Sequence, residues 1–302
     1  MFNMLKRASL LVVFSIAAVA GLQAQSKKEN AAYLTEIKDW DASRISTLKS
    51  ANGWVNLAGL FWLKPGENKF GNAPGNELEF KHDHFPALLG KFILEEREVI
   101  WESAPDQEVF EKGNKVSRIV QFKLDSMQSV QLAYKTFRWT IIQRGDLVGV
   151  RFRDLAHPHL KTFNHINRYR IDPDWRVEAR LEASMIPSVA ITNVLGQTSM
   201  QRSPGKVVFQ LEGKTYKLDA VDEGDDNLFI LFGDETNDVE TYPTGRFMYI
   251  PKPDANGRTV IDFNKAFNPP CAFSAFATCP IPPKQNILPL KVTAGEKKVH
   301  LD

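Results

Sequence analysis

Thiols are scarce in this sequence, with Cys271 and Cys279 the whole supply in 302 residues. A tetrahedral metal site would therefore draw on histidine, and the two clusters, His82-Asp83-His84 and His157-Pro158-His159, lack the usual structural-zinc spacing. No metal is expected. An excess of one charge is also missing, the net charge being +2. Phosphate binding needs concentrated Lys and Arg, so nucleic acid is not an expected partner. There is no Gly-rich phosphate loop, no dinucleotide fingerprint and no Gly-x-Ser-x-Gly elbow. No cofactor is expected on that ground. Neither an internal repeat nor a long linker divides the chain, which places residues 25–302 in a single domain.

The N-terminal apolar run, ASLLVVFSIAAVAGL, is too short for a comfortable membrane span. It follows Lys6 and Arg7 and leads into QAQS. A basic start, a short apolar core and a small-residue end make a secretory signal peptide, expected over residues 1–24 with cleavage after Ala24. The mature protein is then exported, either periplasmic or secreted, and has no membrane span.

What is present points to β structure. A helix is expected over about 27–50, because Tyr33, Ile37, Trp40, Arg44 and Leu48 recur at three- and four-residue steps until Asn52-Gly53 stops them. Beyond Gly53 the helical period gives way to short apolar or alternating runs such as FRWTIIQ, LVGVRFRD, KVVFQLEG and NLFILFGDE. Turn signals such as KGNK, RGD, SPGK and PDANG separate them. Strands joined by tight turns pair antiparallel. The expected fold is all-β, an antiparallel barrel-like or bent two-sheet domain with one N-terminal helix; a two-lobed β structure is the alternative. The Arg144-Gly145-Asp146 triplet lies where a hairpin turn belongs, and is read as that turn.

Three places carry candidate chemistry. In GVRFRD, Arg151 and Arg153 share one strand face, and Val150 and Phe152 share the other. Two neighbouring guanidiniums need solvent, a carboxylate or an anionic ligand between them. In VIDFN, Asp262 and Asn264 share a face if the strand persists, and Arg246 opens the apolar strand RFMYI. The third is the Pro-rich loop, about 266–285, which holds both cysteines and carries no charge from Ala266 to Pro283. So apolar a loop is expected to pack across the sheet or close a barrel end. Export favours a Cys271–Cys279 disulfide. Flanking prolines restrict closure, so buried free thiols and a thiolate site stay open as alternatives.

Several long stretches resemble the bacterial family known as domain of unknown function 1684. They are WVNLAGLFWLKPGEN, VGVRFRD, DPDWRVEARL, LFGDETNDVETYPTGRFMYI and DFNKAFNPPCAFSAFATCPIPPKQNILPLKVTAGEK. The resemblance implies that Arg153, Asp154, Asp234, Thr241, Tyr242, Gly245, Arg246, Asp262, Asn264, Asn268, Cys271, Cys279 and Asn286 occupy motif positions. Pro243 departs from the family's usual glycine. The resemblance implies no reaction.

From the residues, Arg151, Arg153, Arg246, Asp262 and Asn264 are the expected ligand-binding set, with Arg153, Arg246, Asp262 and Asn264 converging beneath the Pro-rich loop. The expected function is binding of a small polar or anionic molecule. A hydrolase-like enzyme using Asp262 or Asp234 as general acid or base is a second possibility, and a cell-envelope interaction module a third. A buried Arg–Asp pair that merely holds the loop down explains the same residues structurally.

Overall fold

The computed structural model describes residues 29–299; the signal peptide expected over residues 1–24 lies outside the described residues. The fold is mostly β, with one helix near the N-terminus and curled antiparallel sheets that form a half-barrel. Helix α1, residues 29–49, buries Tyr33, Ile37 and Leu48 along the expected stripe. It ends where Gly53 turns the chain, because a Cβ there would strike the Leu48 carbonyl.

Two groups of sheets follow, each around its own apolar cluster. In the first lobe, one sheet has the order β1 (Leu57–Trp62), β12 (Leu147–Asp154), β11 (Phe137–Arg144), β10 (Leu132–Tyr134), β6 (Val109–Glu111) and β7 (Asn114–Val116). The facing sheet runs β3 (Leu78–Glu79), β2 (Gly66–Gly71), β4 (Gly90–Leu94), β5 (Glu98–Ser103), β8 (Arg118–Lys123) and β9 (Gln128–Ser129). Pairing is antiparallel except between β2 and β3. Trp101, Trp139, Phe70, Phe92 and Phe152 fill the space between the two sheets. The β11–β12 hairpin turns at Gly145-Asp146, with Gly145 at φ +55°, as the Arg-Gly-Asp triplet led us to expect.

After the short helix α2 (His159–Thr162), the second lobe contains three smaller sheets. The largest has the order β17 (Lys214–Ala220), β16 (Gly205–Leu211), β13 (Arg176–Ala183) and β20 (Arg258–Asp262). The others are β15 (Thr198–Arg202), β14 (Ser188–Asn193) and β21 (Pro280–Ile281), and the pair β18 (Asn227–Phe232) and β19 (Arg246–Pro251). Val207, Phe209, Phe232, Met248 and Phe263 lie in its main core.

Helix α1 precedes the first lobe in sequence but packs on the second. Tyr33 donates to Asp262 at 2.9 Å, Arg44 meets Glu296 at 3.1 Å and Lys265 meets Glu36 at 2.6 Å. The first lobe therefore interrupts the second. Its entry and exit lie side by side, where the Asp154 amide donates to the Asn56 carbonyl at 2.9 Å.

The Pro-rich loop packs across both lobes. Ser274 reaches the Leu57 carbonyl, Thr278 accepts from Arg144, and the Val194 amide donates to the Cys279 carbonyl. Phe273 joins Leu48, Val55, Phe163 and Ile166 in a separate cluster beneath it.

Candidate functional site

The structure distributes the expected ligand-binding residues over three places. Arg246 opens β19 with its side chain fully buried and pairs with Asp234, also fully buried, at 2.8 Å. Its Nη donors also go to the carbonyls of Val292, Ala294 and Glu296, and its Nε is buried without a partner among the described residues. Asp234 accepts in turn from the Thr236 amide and hydroxyl, at 2.8 and 2.6 Å. Thr241 extends this network through Thr236 and Asn237. A buried ion pair tied to backbone carbonyls in this way fixes a segment in place. It clamps the C-terminal strap, residues 288–298, onto β18–β19.

Asp262 and Asn264 form the second place. Strand β20 ends at Asp262, so the two do not share a strand face as they would in a continuing strand. Asp262 instead caps a 3-10 turn, accepting from the Asn264 amide at 3.1 Å. Asn264 donates to the Tyr33 hydroxyl at 2.9 Å and the Asp172 carbonyl at 2.7 Å. Burial, reinforced by the Asp262 charge, raises the Tyr33 pKa, so the phenol stays protonated and donates to the carboxylate. Arg176, paired with Asp262 across β13–β20, lies over the Tyr33 ring. Neither Arg246 nor Arg153 contacts Asp262; the charge of Arg246 is met by Asp234.

A nearby group that sequence reasoning missed closes the same lobe. Glu296 is wholly buried and holds Arg44 and, at 2.6 Å, the Asn268 amide. Burial pushes its carboxyl above the usual glutamate range, against the opposing pull of Arg44. Arg44 also sits over the rings of Phe267 and Phe273.

The third place is the outer face of β11–β12, which carries arginines with no carboxylate. The register sets Arg138 opposite Arg153, Thr140 opposite Arg151 and Arg144 opposite Leu147, so all share the face turned away from the first-lobe core. Arg153 donates to the Gly53 carbonyl and, at 2.8 Å, to Asn56 Oδ1, tying the strand to the turn after α1. Arg144 donates to Thr278 Oγ1 at 3.1 Å and to the Gln143 carbonyl. Among the described residues the Arg151 side chain has no hydrogen-bond partner, and its Nε is buried. Its guanidinium lies 5.0 Å from the Trp54 ring, which Arg153 also approaches at 5.8 Å. Burial lowers the pKa of all three, taking Arg151 and Arg153 down to about 10, and Arg144 and Arg153 lower Arg151 further by repulsion. All three keep their charge at neutral pH.

Beside Arg144 opens a cavity of about 310 Å³ between β14, β15, β18 and the Pro-rich loop. The sequence pattern alone places Arg144 only at a turn. The signal that finds it is strand parity: with a two-residue turn at 145–146, Arg144 must face the same way as Arg151.

The Cys271 and Cys279 sulfurs lie at bonding distance, with Cα atoms 6.1 Å apart, inside the span a disulfide bridges. His157 and His159 face each other at 4.8 Å, yet among the described residues no group of three or more His, Cys, Asp or Glu is arranged to hold a metal. Nor is any helix among them long and apolar enough to cross a membrane.

Half-barrel sheets, a clamped C-terminal strap and an arginine-bearing strand face define a mostly β protein. Residues 161–297 match the family described as protein of unknown function (DUF1684), and the chain belongs to that family. The matched residues cover the second lobe and its strap. An uncharacterized protein of Haloarcula marismortui, solved by solution NMR, is 31% identical to this chain. The alignment covers 46% of this chain and 80% of that one, with a TM-score of 0.39. No curated protein matches.

Proposed function

We propose that the mature chain is an exported protein that binds a small anionic molecule through Arg151 and Arg144, in the cleft between the outer face of β11–β12 and the Pro-rich loop. One observation carries this reading: the Arg151 side chain is desolvated, is repelled by two neighbouring arginines, and has no carboxylate or hydrogen-bond partner among the described residues. A partly buried guanidinium left so is costly. An anion supplies the missing charge, and a planar guanidinium fork suits a carboxylate or phosphate. Arg153 and Trp54 hold the strand and cap the cleft, which makes them positioning residues. Asp234 is committed to Arg246, Asp262 holds Tyr33 through Oδ1 alone, and neither lines the cavity beside Arg144; this favours binding there over acid–base catalysis by these carboxylates.

Native mass spectrometry of protein purified from its own host tests the proposal. The expected result is an anionic adduct that Arg151→Gln no longer carries, although the variant melts like the parent. A parent without an adduct, and without Arg151-dependent heat on titration with acetate or inorganic phosphate, overturns it.

A further inference from the structure

The cavity beside Arg144 carries two opposite charges that do not meet. Arg144 and Glu223 both line it, yet neither forms an ion pair among the described residues. Arg144 is fixed from two sides: its carbonyl accepts from Gln197 at 2.8 Å, and its Nε donates to Thr278 Oγ1 at 3.1 Å. Its Nη1 donates to the Gln143 carbonyl, which leaves Nη2 with no partner among the described residues. Glu223 is exposed and stands at the rim. The Tyr249 hydroxyl donates to its Oε2 at 3.3 Å, and Oε1 is left over. Opposite charges held apart around one cavity leave room for a ligand that carries both, a carboxylate for the guanidinium and an ammonium for the carboxylate.

The edge strand β15 adds one acceptor and one donor. Ser199 and Gln201 lie two apart on it, opposite Ile191 and Val189 of β14, and both line the cavity. Gln201 donates to the Ser199 hydroxyl at 2.9 Å, so the Gln201 carbonyl and the Ser199 proton are left to bond outward. An acceptor beside a donor complements the N–H and C=O of a peptide group. Ile191, Val221, Phe229 and Leu231 are buried and give an apolar floor. A volume of about 310 Å³, at the low end for ligand pockets, suits two residues rather than a longer chain. We infer that this cavity takes a dipeptide with apolar side chains, its carboxylate held by Arg144, its ammonium by Glu223 and its peptide group by Gln201 and Ser199. The inference goes beyond the anion-binding reading. The two share Arg144 alone, and Arg151 does not line this cavity.

Calorimetric titration of the parent with L-Ala-L-Leu and L-Leu-L-Ala tests it. The same dipeptides with the amino end acetylated or the carboxyl end amidated remove one charge at a time, and free L-leucine and 6-aminohexanoate serve as zwitterions without a peptide group. The expected result is that at least one dipeptide binds, and that either cap weakens it about tenfold or more, a difference of about 1.4 kcal/mol. Glu223→Gln, checked first by a thermal melt, should weaken the free dipeptide by a similar factor and the acetylated one hardly at all. The acetyl cap reads the same contact on the unaltered protein, so the test stands even if that variant misfolds. Capped dipeptides that bind as tightly as free ones overturn the paired-charge site. Leucine or 6-aminohexanoate binding as tightly as the dipeptides overturns the peptide assignment. If neither dipeptide binds while acetate still binds with dependence on Arg151, this inference falls and the anion-binding reading stands; dipeptide binding without Arg151-dependent acetate binding gives the reverse.

Discussion

At the scale of single residues, two kinds of buried arginine separate. Arg246 and Arg151 each have a buried Nε without a partner among the described residues, but Asp234 neutralises Arg246 and backbone carbonyls take its remaining Nη donors. Removing the partner's charge leaves a guanidinium stranded in the core. Asp234→Asn is therefore expected to cost roughly 3–5 kcal/mol, the range for breaking a buried pair. Chemical denaturation of the variant against the parent measures it, and a loss below about 1 kcal/mol, the scale of an exposed pair, contradicts the clamp. Arg151 should behave in the opposite way. It repels Arg144 and Arg153 and its side chain holds no hydrogen bond to the described residues, so Arg151→Gln relieves strain between like charges and leaves stability level or higher. A residue whose removal costs binding but not stability is the mark of a site.

At the scale of elements, strands were the legible part of the sequence. In FRWTIIQ and VGVRFRD the alternation assigns Trp139, Ile141, Val150 and Phe152 to the core and the arginines to the other face, and the register agrees. The α1 stripe was legible for the same reason, since one period describes it. Partner choice was not. Arg246 pairs with Asp234 across the β18–β19 hairpin, whereas Asp262 turns to Tyr33, 229 positions away. No local pattern encodes a contact of that span. The expectation of a shared face for Asp262 and Asn264 failed because the aspartate caps a turn that ends its own strand. The Pro-rich loop was legible as a packed segment, since an uncharged run with three phenylalanines does not stay in water. Its thiols bear the next prediction. Closing so short a loop stabilises by roughly 2–3 kcal/mol in the chain-entropy model. Protein recovered from the export compartment, denatured and alkylated without reductant, should show an intact mass beginning near Gln25 with no alkyl adducts. Two adducts, or a chain that keeps Met1, contradicts a disulfide formed after export.

At the scale of the molecule, the first lobe is an excursion from the second. The chain leaves at Asn56 and returns at Asp154, where the backbone of the two is hydrogen bonded. Replacing residues 58–152 with a short Gly–Ser linker should leave helix α1 and the second lobe folded, with dispersed NMR amide signals and a cooperative melt, because no chain needs to be stretched to close the gap. The shortened protein should no longer bind acetate, having lost Arg144 and Arg151. An unfolded product contradicts the division into lobes. The nesting also imposes an order on synthesis. Strands β1–β12 find all their sheet partners among themselves, so they can assemble while the rest of the chain is still being made. Helix α1 has no such freedom. Its Arg44 waits for Glu296, 252 positions downstream, and an early helix with an unfilled apolar stripe is a natural client for a chaperone until the last strap of the chain emerges.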